Sequence, residues 1–276
     1  MNEHQILGYI PKQTVIHSFN ATAKLFFVLA VSFACMTTYD TRFLLVVGIC
    51  STFIFKLADL KWNQISFVIK FVCFFSVLNI LAVFVFQPTY GQELYGAKQV
   101  LISAGYFTLT SQELFYLANV ALKYFCTIPL TLGFILTTNP SAFAASLSKL
   151  KVSYKVSYAV SLALRYIPDI QADYFAISQA QQARGFEMSK KGKFFNRVKG
   201  ALQIVLPLVF SSLERIETIS TAMELRRFGA KKKRTWYVAE PFRTRDYLLV
   251  VSGLVLFIIS LILFKINGGR FYNPFK

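Results

Sequence analysis

The chain has 276 residues, of which 55% are apolar and 16% charged, and Phe alone contributes 29. Soluble domains usually carry about 45–50% apolar and about 25% charged residues. The balance excludes a disordered chain, a disulfide-stapled secreted domain and a solvated nucleic-acid binder, and predicts an integral membrane protein. The formal net charge is +17, and in a membrane protein the question is where that charge sits.

The first twenty residues are polar and lack an apolar core, so no cleaved signal peptide is expected. Two modest apolar runs follow. Leu25–Met36 is extended by Ala21–Ala23 before Lys24, and Phe43–Phe55 by Leu57–Ala58 after Lys56. Both span a bilayer if their lysines snorkel to the interface. Ile65–Phe86 is interrupted only by Lys70, and Phe115–Leu136 only by Lys123. Val100–Leu109, lying between them, is too short to span and is expected to be an interfacial or re-entrant piece. Tyr247–Phe264 is 18 residues without a charge, enough to cross a core of about 30 Å with slight flanking help.

The expected fold is therefore an all-α membrane protein of about five transmembrane helices plus a helical insert. Residues 1–138 form a membrane domain with about four spans, 139–245 a cytoplasmic coupling domain, and 246–276 the last span and tail. The insert holds 19 Lys/Arg against 7 Asp/Glu, and the positive-inside rule places it in the cytoplasm. Counting spans backwards puts the amino terminus inside as well, and the carboxyl tail, with Lys265 and Arg270, outside. A lysine within an apolar run points to function by default. Lys70 lies within snorkelling reach of the boundary, whereas Lys123 sits deeper, where a partner carboxylate or a shifted boundary would also explain it. Cys35, Cys50, Cys73 and Cys126 lie in apolar runs without a CxxC pair and read as small buried side chains. His4 and His17 stand alone near the amino terminus.

The stretch 139–245 is too long for a bare connection, and its periodicity is helical. Ala142, Phe143, Ala145, Ser146 and Leu150 begin one stripe. Val156 to Ile167 is largely apolar and is expected to stop near Pro168. Phe175, Ala176, Ala180 and Ala183 continue a second helix. Val198, Leu202, Val205, Leu206 and Val209 recur at three- and four-residue steps, as do Leu213, Ile216, Ile219 and Met223. These helices are expected on the inner membrane face, their excess cations meeting anionic headgroups.

Two of the helices end alike. One reads Gln181-Gln182-Ala183-Arg184-Gly185-Phe186-Glu187, and the other, 42 residues on, Met223-Glu224-Leu225-Arg226-Arg227-Phe228-Gly229. Each places an Arg in the last turn, where cations complement the helix dipole, with Gly nearby to terminate it. Ordinary capping explains one such end. A matched pair suits a partner that is itself two-fold, with an acidic groove in each half, because a guanidinium grips a carboxylate bidentately.

On these residues the chain resembles the transmembrane coupling (T) component of energy-coupling factor transporters. The likeness covers most of the sequence and is strongest over Ser161–Pro168, Gln182–Phe186 and Pro207–Gly229. It implies that Arg184 and Arg226 each dock into one of two ATP-binding cassette ATPases, flanked by Ala183, Gly185, Leu225 and Arg227, with Glu187, Glu224, Pro168 and Pro207 in support. The first motif fits the family's Ala-Arg-Gly. The second departs at Leu225 and Arg227, which would suit a heterodimeric pair of ATPases. A separate membrane subunit would bind the vitamin or other micronutrient, in a prokaryotic plasma membrane.

No G-x-x-x-x-G-K-[ST] phosphate cradle occurs in the chain, nor does its sequence cluster His, Cys and carboxylates for metal or covalent chemistry. The expectation is a non-enzymatic subunit without a cofactor of its own, ATP being bound by partner ATPases. Glu187 and Glu224 either pair with arginines or ATPases or are solvated. The alternatives are an autonomous membrane enzyme or permease using Lys123 and the Arg-rich face on a lipid or anionic substrate, and a plain membrane anchor for acidic proteins.

Overall fold

A computed structural model describes residues 12, 14–59, 62–96, 100–104, 107–185, 194–231 and 235–275. The chain divides into two compact units, one formed by 1–139 with 240–276 and the other by 140–239.

In the first unit the five apolar runs are helices: α1 (Ala21–Thr37), α2 (Thr41–Leu57), α3 (Trp62–Phe86), α5 (Ser111–Thr137) and α9 (Thr244–Ile266). Among the described residues, Val68–Phe86, Ser111–Thr137 and Thr244–Ile266 are long and apolar enough to cross a membrane, and Ala21–Thr37 is a shorter apolar helix. A short helix, α4 (Tyr90–Tyr95), precedes the strands β1 (Val100–Ala104) and β2 (Phe107–Thr110). The expected re-entrant piece is thus an antiparallel hairpin, with Ala104 paired to Phe107. Its β-branched and aromatic residues favour a strand, and it is too short to bury a helical face.

Helix α5 is central and packs against α1, α2, α3 and α4, while α9 packs on α1. Val31, Ala34, Cys35, Phe43, Leu44, Val47, Cys126 and Leu130 form the main core. Gly253 lets α9 approach α1 closely, since a Cβ there would stand 3.3 Å from the Phe27 Cα. By contrast, no residue of Val68–Phe86 is buried, and Phe71, Phe74 and Leu81 face outward, as a lipid-facing helix requires. Cys35 and Cys126 are buried, but Cys50 and Cys73 are exposed, which corrects their reading as buried side chains.

Polar contacts fasten both ends of this bundle. At one end the buried Asp246 carboxylate accepts the Asn20 N–H at 2.8 Å and the Arg243 N–H at 2.8 Å. The Asn20 side chain caps α1 through the Thr22 N–H and donates to the Glu240 carbonyl at 3.0 Å. Lys24 donates to the Thr137 carbonyl at 2.9 Å, and Lys12 pairs with Asp59 at 2.8 Å. The points where the chain leaves and re-enters this unit, Thr137–Asn139 and Glu240, therefore share one end. At the opposite end Asp40 caps α2 through the Arg42 N–H and accepts Asn267 Nδ2 at 2.8 Å. Tyr39 donates its N–H to the Arg270 carbonyl at 2.7 Å, inside an aromatic cluster with Tyr90, Tyr116 and Phe271.

Lys123 belongs to this second end. Its ammonium donates to the Met36 carbonyl at 2.9 Å and lies 3.2 Å above the centre of the Tyr39 ring. No carboxylate is needed, because a helix C-terminus and an aromatic face together hold the cation. Lys123→Met leaves the Met36 carbonyl unsatisfied and should cost about 1–3 kcal/mol. Thermal unfolding of the purified chain in detergent should show a lower midpoint than wild type, whereas Lys265→Gln, at an exposed position, should leave it unchanged.

The second unit holds α6 (Pro140–Lys149), α7 (Tyr154–Ala183) and α8 (Phe194–Leu225). The break expected at Pro168 is absent: α7 runs through Pro168 and α8 through Pro207. A proline inside a helix forfeits one backbone bond, and packing against a neighbour offsets the loss. Here Arg215 of α8 touches α7 on both sides of Pro168. It bonds Asp173 at 2.7 Å, approaches Asp169 at 3.7 Å and stands 5.7 Å from the Tyr166 ring.

Candidate functional site: two arginine-tipped helix ends

Helices α7 and α8 lie antiparallel. Arg215 meets Asp173, the Gln181 amide donates to the Gln203 carbonyl at 3.4 Å, and Phe228 packs edge-on against Tyr154 and tilted against Tyr158. The carboxyl ends of the two helices consequently point in opposite directions. Arg184 and Arg226 are kept apart, one at each end of the pair.

Both ends turn into a left-handed residue just after the cap. Ala183 is the last residue of α7 and Leu225 the last of α8, so Arg184 and Arg226 both occupy the cap position. At α7 the Gly185 N–H bonds back to the Gln182 carbonyl at 3.0 Å, with Gly185 at φ +84°. At α8 the Arg227 N–H bonds the Glu224 carbonyl at 2.8 Å, and the Phe228 N–H reaches the Met223 carbonyl at 2.9 Å. That pair of bonds is the Schellman stop, which requires a left-handed residue just after the cap. Glycine supplies it at position 185; at 227 an arginine is held there at φ 51°. The sequence departure at Arg227 therefore changes the strain at that end and keeps the left-handed turn.

Ala183, Arg184 and Gly185 are exposed, as are Glu224, Leu225, Arg226 and Arg227, with Leu225 80% accessible. Glu187 lies outside the described residues, as does His4. Pro168 and Pro207 sit inside their helices, away from the tips. Among the described residues, no three His, Cys, Asp or Glu side chains converge.

The α8 end carries a feature that motif reading missed. Arg226 and Arg165 line one cavity of about 400 Å³ with Tyr154, Tyr158, Phe228 and Trp236. The Tyr154 hydroxyl and the Trp236 indole N–H beside it are buried without a hydrogen-bond partner among the described residues. Two guanidinium groups and two unspent donors suit an anionic or carbonyl acceptor. Arg165 stands 61 residues from Arg226, a separation that short motifs do not register.

Residues 12–237 match the CbiQ family, described as cobalt transport protein. The chain belongs to that family. It is 25% identical to the energy-coupling factor transporter transmembrane protein EcfT of Lactococcus lactis subsp. cremoris, over 96% of this chain and all of the relative. The protein of the same name from Exiguobacterium sibiricum is 29% identical over 95% of this chain and 98% of its own length. That from Thermotoga maritima is 23% identical over 91% of each. The resemblance read from the motifs is thereby borne out: the chain belongs with the transmembrane components of energy-coupling factor transporters, and its relatives are named as membrane subunits of transport rather than as catalysts.

A left-handed arginine costs about 1 kcal/mol relative to glycine. Arg227→Gly should therefore leave the α8 stop intact and raise stability by about that amount, read as a higher thermal midpoint in detergent. Gly185→Arg should do the reverse at α7.

Proposed function

We propose that this T component relays ATP hydrolysis by two associated ATP-binding cassette ATPases to a separate substrate-binding membrane subunit, for import of a vitamin or other micronutrient. The observation that carries the reading is the antiparallel α7/α8 pair, with one exposed arginine tip at each end. A dimer of ATPases offers two equivalent grooves, and one rigid element with two outward tips can engage both. Arg184 and Arg226 would each hold a carboxylate of an ATPase bidentately, and the difference between Gly185 and Arg227 suits two non-identical ATPases. The cavity beside Arg226 has room for an acceptor from the same partner. Closure of the ATPases would move the tips, and α7 and α8, with their exposed apolar residues Ile167, Leu206 and Phe210, would transmit that movement to the substrate-binding subunit.

In this reading the amino terminus and the 140–239 unit face the cytoplasm. The density of Lys and Arg between 139 and 245 supports that orientation, as does the shared end at which Asn139 and Glu240 lie. ATP stays with the partner ATPases, and the bilayer and the two other kinds of subunit are the partners. The alternative of an autonomous enzyme or permease loses its motivation, because Lys123 is engaged as a helix cap.

Removing one member of a buried interfacial charge pair costs roughly 2–5 kcal/mol. Arg184→Ala and Arg226→Ala should each weaken retention of the ATPases tens- to thousands-fold while membrane insertion persists. Co-purification of the complex in detergent measures this, and wild-type stoichiometry in both variants would contradict the relay.

A further inference from the structure

Helix α3 meets α5 near both of its ends and stands off between them. Val68 and Ile69 pack on Leu132 and Leu136, and Ile80 and Val83 pack in the cluster of Tyr116 and Val120. The gap is a groove of about 730 Å³ between α2, α3 and α5, lined by Leu45 and Ile49, Cys73, and Ala121, Phe125 and Ile128. Its walls are almost wholly apolar, and it opens sideways on helices that span the membrane. A dry apolar slot at that depth is filled by hydrocarbon.

One end of the groove is electrically distinct. Phe55 and Ile69 close it, and their chain neighbours Lys56 and Lys70 are both exposed. Neither lysine has an ion-pair or hydrogen-bond partner among the described residues. No Asp or Glu lines the groove. Lys56 lies in the last turn of α2, adding its charge where the helix dipole already favours a cation. Two ammonium groups without a partner among the described residues, next in sequence to the lining of an apolar slot, match an anionic headgroup joined to an acyl chain.

We infer that the α2–α3–α5 groove is a phospholipid site, holding one acyl chain between Ile49, Cys73 and Ala121 with the lipid's anionic phosphate headgroup at Lys56 and Lys70. The lipid comes from the leaflet at the Asn139–Glu240 end of the bundle. It fills the gap along α3, which otherwise has few contacts with the rest of the unit, and so sets how firmly that helix is held.

The test is native mass spectrometry of the purified full chain from micelles doped with equal amounts of a phosphatidylglycerol and a phosphatidylcholine of identical acyl chains. Wild type should retain one phosphatidylglycerol, preferred about tenfold or more over phosphatidylcholine. Lys56→Gln with Lys70→Gln should bring the two lipids to parity, and Lys265→Gln, at the opposite end, should keep the preference. Ala121→Phe, which fills the slot, should lower retention of both. Wild type holding neither lipid, or both equally, overturns the site and leaves the groove to a transmembrane helix of a partner subunit. An undiminished preference in the double lysine variant also overturns it, and because that variant alters only exposed side chains, it decides the matter even where Ala121→Phe disturbs packing.

Discussion

A helix surrounded by hydrocarbon satisfies every backbone group except those at its ends, and an unmet carbonyl there is costly. The first unit answers this constraint reciprocally. Antiparallel α1 and α5 each send a lysine to the other's carboxyl end: Lys24 to the Thr137 carbonyl and Lys123 to the Met36 carbonyl. The same two contacts fix the register of the pair, since a slip of one turn would strand both ammonium groups in an apolar layer. Around that pair α2 and α9 add their own locks, Asp40 to Asn267 at one end and Asp246 to Asn20 at the other. Stability in this unit is a matter of polar ends on an apolar bundle.

The second unit solves a different problem, that of presenting two separated tips from one element. Its helices carry internal prolines and exposed apolar stripes, features that weaken isolated helices. What compensates is Arg215, which reaches across to Asp173, Asp169 and the Tyr166 ring. The membrane unit is held by polar contacts at its extremities, whereas the α7/α8 pair is braced along its length, by Arg215 at the middle, Gln181 toward one end and Phe228 toward the other. Exposed arginines at both ends of a cross-braced pair suit an element that receives partners at each end.

Much of this was legible in the sequence because its strongest signals are local. Each apolar run became a helix, since a run of that length in lipid has no other way to satisfy its backbone. The 42-residue echo of the two Arg-containing ends appears as a left-handed turn after each of Arg184 and Arg226, because such a stop is written within a few consecutive residues. The errors arose where distant residues decide. Pro168 looked like a helix end until Arg215, 47 positions away, was seen to straddle it. Lys123 stayed open between a functional and a structural role until Tyr39 and the Met36 carbonyl came alongside. Val100–Leu109 was placed at the interface without foreseeing that it pairs with itself, since alternation over so few residues is a weak signal. The cavity shared by Arg165 and Arg226 depends on the antiparallel packing of α7 and α8, which periodicity does not encode.

The contact between Asp173 and Arg215 stands eleven residues before Arg184 on one helix and eleven before Arg226 on the other. At 1.5 Å per residue both arms measure about 16 Å. The ion pair therefore lies midway between the two guanidinium-bearing tips. Were a partner to tilt the pair about that midpoint, its two tips would travel equal distances in opposite directions.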